Sequence, residues 1–269
     1  MTTTTMQSPT PHVAKQGIFW TISDILAMTK RNMLHYVRLP QLLVFSTIQP
    51  VMFLLLFTYV FGGAIATGTS SYINYLIPGI IVQTVIFGSM NTGIGLAVDL
   101  SKGLIDRFRS LPMARSAVLA GRTLSDTARN LFTMFLMVGV GLLIGYRFNQ
   151  GIGAALAAIG LTLAFGFAFS WISATIGLLV KNVETAQVAG FIWVFPLVFA
   201  SSIFVPISSM PNWLQTFAKA SPITVTVNAV RNLTLGIPST PDIWYSIIWI
   251  DVILVVFVPL AVYLYRKSV

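Results

Sequence analysis

Apolar runs close to the length of a bilayer crossing recur along this chain, and they constrain its fold more than any other feature. A helix needs about 20 mostly apolar residues to cross about 30 Å of hydrocarbon. Of 269 residues, 56% are hydrophobic and only 9% charged, with a mean hydropathy of +0.84. A soluble domain would carry about a quarter charged residues, so the chain reads as an integral membrane protein. Its net charge of +9 would point to nucleic acid in a soluble protein. Here basic residues flanking apolar spans account for it, because orientation on a membrane requires them. With no cysteine, disulfides, thiolate metal sites and cysteine nucleophiles are excluded.

Residues 1–16 contain the polar, Thr/Pro-rich "MTTTTMQSPTPH" and read as a disordered cytoplasmic tail, not a cleaved signal peptide. Residues 17–40 follow. Ile18, Ile22, Ile25, Leu26, Met33 and Leu34 mostly recur at helical spacing, while Asp24, Lys30, Arg31 and Arg38 make the segment too charged to span. That combination predicts an amphipathic helix lying at the interface, ended by Pro40. Residues 41–269 then hold six predicted spans: Leu42–Gly62, Asn74–Val98, an apolar part near Leu131–Tyr146, one within Ile152–Val180, Gln187–Val205 and Ile243–Tyr265.

Basic residues alternate between the connections. Lys15, Lys30, Arg31 and Arg38 precede the first span. Lys102, Arg107, Arg109 and Arg115 lie between the second and third, Lys181 between the fourth and fifth, and Arg266 and Lys267 after the last. The other connections hold only Arg147, Lys219 and Arg231. The positive-inside rule therefore puts both termini in the cytoplasm, and an even number of spans agrees with that topology. The last external connection contains two short amphipathic stretches, each with a Pro near its start. Trp213, Leu214 and Phe217 share one face, and Ala229, Val230 and Leu233 another. A re-entrant or interfacial helical hairpin fits this pattern better than a solvated loop, provided that protein buries its backbone.

Enzymatic chemistry finds little to use. His12 and His35 are the only histidines, so a membrane metalloprotease lacks its ligands. No G-x-x-x-x-G-K-[ST] is present to hold ATP. Asp251, about a third of the way into the sixth span, is the exception among nearly uncharged spans. An ionisable residue there is a candidate functional site; the alternative is a structural partner for Arg231 or Arg147. Gln83, Phe87, Asn91 and Gly95 follow one face of the second span at four-residue spacing, as Gln187, Phe191, Phe195 and Phe199 do in the fifth. Such faces could line a path for a bulky amphipathic substrate, or could be ordinary helix packing.

Between the second and third spans stands "DLSKGLIDRFRSLPMARSAVLAGR". Asp99, Lys102, Asp106, Arg109 and Met113 recur at helical spacing up to a stop near Pro112, and Gly103 permits a close backbone approach. Orientation alone needs Lys and Arg in no particular order. This loop mixes signs around Leu104, Phe108, Leu111 and Met113, and continues into Arg122, Asp126 and Arg129. Both signs around exposed apolar residues suit a protein docking surface.

These residues closely resemble the corresponding loop of type-2 ABC exporter permeases, in the daunorubicin/doxorubicin resistance branch. The matches are Gly103, Asp106, Arg107, Phe108, Arg109, Ser110, Leu111, Pro112, Arg115, Gly121 and Arg122, with "SPITVTVNAVRNLTLG" and "KNVETAQ" as further matches. The resemblance runs from about residue 20 onward. It implies a half-transporter: two copies pair as a homodimer in the cell membrane, and two separate ATP-binding subunits bind ATP and Mg. The permease itself would be no enzyme and would hold no cofactor or nucleic acid. Residues 17–40 would be a connecting helix and about 99–113 a coupling helix gripping the ATP-binding subunit. Its contacts would come from Asp99, Lys102, Gly103, Asp106, Arg107, Phe108, Arg109, Leu111, Pro112 and Arg115. Residues about 206–233, with Pro206, Trp213, Pro222 and Arg231, would close the outer exit as a re-entrant hairpin. The expectation is an all-α membrane fold of six spans, N-in and C-in, exporting a hydrophobic drug or natural product. A lipid, glycolipid or polysaccharide is the alternative cargo. An intramembrane enzyme or a non-ABC channel would need a polar cluster or charged ring that the spans lack.

Overall fold

Prolines and glycines set the helix boundaries of the computed structural model, which describes residues 18–38, 40–65, 71–103, 115–180, 182–237 and 240–267. The first helix, α1 (Ile18–Arg38), stops short of Pro40, and Pro40 opens α2 (Pro40–Leu56). Proline disfavours helical backbone in the residue before it but is tolerated in a first turn. One π-helical turn, Phe57–Phe61, extends α2. There follow α3 (Tyr72–Ser101), α4 (Arg115–Leu143), α5 (Gly151–Val180), α6 (Val183–Phe199), α7 (Asn212–Ala220), α8 (Pro222–Leu235) and α9 (Thr240–Lys267). Asn182 caps α6 through its side-chain oxygen, which accepts from the backbone N–H of Glu184 at 2.9 Å. Pro222 occupies the first turn of α8, and Gly236 ends that helix in the left-handed conformation at φ 76°.

The organising helix is α3, which packs against α2, α4, α5, α6 and α8. Its closest neighbour is α5. A Cβ added to Gly177 would collide with the carbonyl of Gly93, and one on Gly93 with that of Ser173. Small residues at this crossing let the two backbones touch, as membrane helices do where no water separates them. The larger core joins Leu76, Ile80, Phe165, Phe169, Val198 and Val227. A smaller one, near the start of α4, joins Met28, Leu96, Leu119, Trp171 and Tyr265.

Large apolar side chains also face outward, among them Phe45, Met52, Ile248, Val255 and Tyr263. Patches of this extent on helices this long are a lipid-facing surface. Among the described residues four helices are long and apolar enough to cross a membrane: Val44–Phe61, Tyr72–Ser101, Gly151–Val180 and Pro241–Lys267. The chain is thus a multi-pass, all-helical membrane protein. The third expected span corresponds to α4, whose 29 residues include Arg115, Arg122, Asp126 and Arg129. The fifth corresponds to α6, which ends at Phe199 instead of Val205. Its 17 residues extend about 25 Å at 1.5 Å each. Pro196 lies in its last turn, and the chain then bends through Ser201 to Val205.

Candidate functional site

The two polar-aromatic faces singled out in the sequence meet. Phe87 of α3 stands 6.3 Å from Phe191 and 6.0 Å from Phe195 of α6, ring centre to ring centre. Phe195 stacks on Phe199 at 4.8 Å, Phe199 on Phe204 at 5.2 Å, and Phe204 on Phe57 at 4.3 Å. An unbroken aromatic ladder therefore joins α3 and α6 to the π-turn after α2. Phe191, Phe195 and Phe199 are 40%, 41% and 40% exposed. They pack along one edge and leave the other open.

Beside Phe87, a small cleft of about 90 Å³ opens between α2, α3 and α4, with Gln49, Gln83, Asn91, Asn130 and Thr133 on its walls. Gln83 is buried, and its Oε1 has no hydrogen-bond partner among the described residues. Asn91 is exposed and donates to the Gly88 carbonyl at 3.3 Å. Gln187 is exposed, one turn before Phe191. A polar-walled cleft next to open aromatic rings provides both parts of a site for an amphipathic molecule: an apolar body and a few fixed polar groups.

At the end of the bundle where α4 begins, a buried ionic cluster ties three helices together. Asp126 of α4 is fully buried. Its Oδ1 accepts from the Tyr36 hydroxyl of α1 at 2.6 Å, and its Oδ2 from the Thr92 hydroxyl of α3 at 2.6 Å. Arg129 lies 3.7 Å from Asp126 and donates to Tyr36 Oη and to the Gly88 carbonyl. Arg122 places Nε 4.0 Å from Asp126, while its Nη1 donates to Asp99 at 2.9 Å. Burial and the Asp126 carboxylate push the Tyr36 phenol up to about 12, against the smaller opposing effect of Arg129. The sequence reading put Arg122, Asp126 and Arg129 on a cytoplasmic docking surface. Instead, Asp126 and Arg129 face α1 and α3, and only Arg122 reaches the edge of the cluster.

Asp99 therefore sits in the last turn of α3, held by Arg122. Lys102 and Gly103 follow it, both exposed. The glycine is needed for its backbone, at φ 64°, and no described atom lies within 4 Å of where a Cβ would stand. Asp106, Arg107, Phe108, Arg109, Leu111 and Pro112 lie outside the described residues, as does the Arg115 side chain.

The opposite end holds a different arrangement. Arg231 of α8 is buried with no carboxylate beside it among the described residues. Its Nε donates to the Tyr75 carbonyl at 3.0 Å, and Nη2 donates to the carbonyls of Ser202 at 2.7 Å and Ile203 at 3.1 Å. Nη1 reaches Ser202 Oγ and Asn228 Oδ1, and the guanidinium lies over the Tyr75 ring, 3.5 Å from its centre. The Tyr75 hydroxyl also donates to the Ser202 carbonyl, at 2.9 Å. This cage fixes the bend after α6 to α3 and α8. Pro206 precedes a short 3₁₀ turn, and Trp213 of α7 is 75% exposed. Asp251 lies on the outward, exposed face of α9. Among the described residues no ion pair joins Asp251 to Arg147 or to Arg231, which donates to carbonyls instead. Neither the carbonyl cage nor the partners of Asp126 carried a signal in the sequence beyond the spacing of the charges themselves.

Residues 23–235 match the family model described as ABC-2 type transporter. The chain is 36% identical over 247 residues to a daunorubicin resistance ABC transporter permease protein of Streptomyces coeruleorubidus, covering 92% of this chain and 87% of that protein. It is 28% identical over 255 residues to a Mycobacterium tuberculosis protein named "Probable doxorubicin resistance ABC transporter permease protein", covering 92% and 90% of the two chains.

Proposed function

This chain belongs to the ABC-2 type transporter family, and on that premise we propose that it is the membrane subunit of an ATP-driven drug exporter. ABC-2 permeases work with ATP-binding subunits. In our reading two copies of this chain pair, each served by one such subunit that binds ATP and Mg. The chain crosses the membrane six times with both termini in the cytoplasm, and α7 and α8 form a re-entrant hairpin at the outer exit.

The observation that most supports a hydrophobic drug as cargo is the aromatic ladder from Phe87 through Phe191, Phe195 and Phe199, half open beside the polar cleft at Gln83 and Asn91. Flat ring faces bind a fused aromatic body, and the amides fix its polar edge. Force enters at the other end. Asp106, Arg107, Phe108, Arg109, Leu111 and Pro112 grip the ATP-binding subunit, and the Asp99–Arg122 pair connects that grip to α3 and α4. Closure of two ATP-binding subunits then moves packed helices as rigid bodies.

Reconstitution of this chain with its ATP-binding subunit tests the reading. Anthracycline should move against its gradient only with ATP and Mg, and Asp106→Arg should leave ATP hydrolysis running while export stops. Retained export in that variant would count against the coupling role. ATP-driven movement of a lipid or glycan with none of the drug would replace the cargo.

A further inference from the structure

A second cleft, of about 560 Å³, opens at the α4-start end between the last turns of α1, the end of α3 and the first turns of α4. Among the described residues its walls carry Arg31, Arg38, Lys102 and Arg122 against a single carboxylate, Asp99. Arg38 and Lys102 are exposed and have no ion pair among the described residues. Arg122 uses Nη1 on Asp99, while its buried Nε, 4.0 Å from Asp126, has no hydrogen-bond partner among the described residues. Leu34, 42% exposed, forms part of the rim. Outward-facing apolar residues of α1 and α2, Leu26, Val44 and Phe45 among them, belong to the lipid-facing surface. A concentration of fixed cations at the boundary of an apolar surface selects a ligand with an anionic head and a hydrocarbon tail. Basic pockets between helices at the membrane surface bind phospholipid headgroups in this way.

We propose that the cleft formed by Arg31, Arg38, Lys102 and Arg122 is a binding site for an anionic phospholipid. The phosphodiester sits among the cations, and the acyl chains run out over Leu34. Its position gives the bound lipid a means of influence. A phosphate within reach of Arg122 competes with Asp99 for that guanidinium, and Arg122 also borders Asp126, on which α1, α3 and α4 converge. The site is separate from the aromatic face and does not depend on which cargo that face carries.

The test is equilibrium binding to the purified full-length chain in a neutral detergent. The probes are spin-labelled phosphatidylglycerol and phosphatidylcholine, read by quenching of the protein's tryptophan fluorescence. Phosphatidylglycerol should bind at least tenfold more tightly than phosphatidylcholine. Arg38→Gln with Lys102→Gln should weaken it about thirtyfold, about fivefold for each lost charge. Both side chains are exposed, so the double variant should fold. Arg266→Gln with Lys267→Gln, at the end of α9 and outside the cleft, should leave binding unchanged. Equal affinity for the two lipids, or no effect of the Arg38/Lys102 pair, would overturn the assignment. So would glycerol 3-phosphate displacing the lipid at equal concentration, which would make the site one for soluble phosphate esters. Unchanged lipid affinity together with weaker capture of the ATP-binding subunit would give the cleft to that subunit and overturn it too. Because nothing is transported in this assay, its failure leaves the export reading standing, and the reverse also holds.

Discussion

The two ends of this bundle each bury an arginine, and they neutralise it in opposite ways. Arg129 shares Asp126 with Tyr36, Thr92 and Arg122, so cation and anion are both buried and each has more than one partner. Arg231 faces carbonyls, a hydroxyl, an amide and an aromatic ring, with no acid among them. A buried ion pair is held by geometry that its desolvation cost nearly cancels, and losing one member strands the other. A cation in a cage of backbone dipoles is tied to the fold of one turn. The first is suited to a joint between helices that shift against one another, because partners can be exchanged without exposing a charge. The second is suited to a clamp.

Breaking each site separately should expose the difference. Asp126→Leu leaves Arg129 buried without its carboxylate and should cost about 3–5 kcal/mol of stability, seen as a large fall in the melting temperature in detergent. Adding Arg129→Met to that variant should recover most of the loss, since an ion pair replaced by packed apolar groups is often close to neutral. Arg231→Met should cost less, about 1–3 kcal/mol, because the substitution also removes the buried charge and chiefly orphans the Ile203 carbonyl. No carboxylate change should rescue it. If Arg231→Met proves the more damaging of the two, the roles assigned to the two ends are reversed.

A smaller effect is expected at the α4-start end. The phenol of Tyr36 is raised to about 12 in the fold, against about 10 for an unfolded tyrosine. Between those values the unfolded chain has lost its proton while the folded one keeps it, so stability falls as pH rises from 10 towards 12 and is unaffected below 10. Tyr36→Phe should lower stability at neutral pH by about 1.5–3 kcal/mol, the range for a hydrogen bond to a charged group. It should also flatten the alkaline slope when melting temperatures at pH 9 and 11 are compared.

Sequence periodicity located most of this architecture and little of its wiring. The amphipathic α1, the break at Pro40 and the long apolar α2, α3, α5 and α9 follow from composition and spacing, because lipid imposes a length and a polarity on each helix. The meeting of Phe87 with Phe191 and Phe195 was legible as two matching faces, though not as a contact. Arg122, Asp126 and Arg129 misled for a physical reason. Charges at helical spacing look alike whether the face they share meets water or another helix, and Tyr36, which decides the matter, lies 90 residues from Asp126. The surroundings of Arg231 were invisible in another way, since its partners are mainly main-chain carbonyls, which every residue possesses. The bend that ends α6 at Phe199 makes that cage, and only the fold reveals it.

In the proposed exporter, ATP-driven motion enters through the joint around Asp126 while the Arg231 clamp moves as one body. Hydrogen–deuterium exchange on the complex with the ATP-binding subunit, nucleotide-free and ATP-trapped, tests it most directly. Altered protection is expected in α1 and the first half of α4, and unchanged protection in α8 and the bend at residues 200–205. Unchanged exchange around Tyr36 and Asp126, with the larger change in α8, would contradict it.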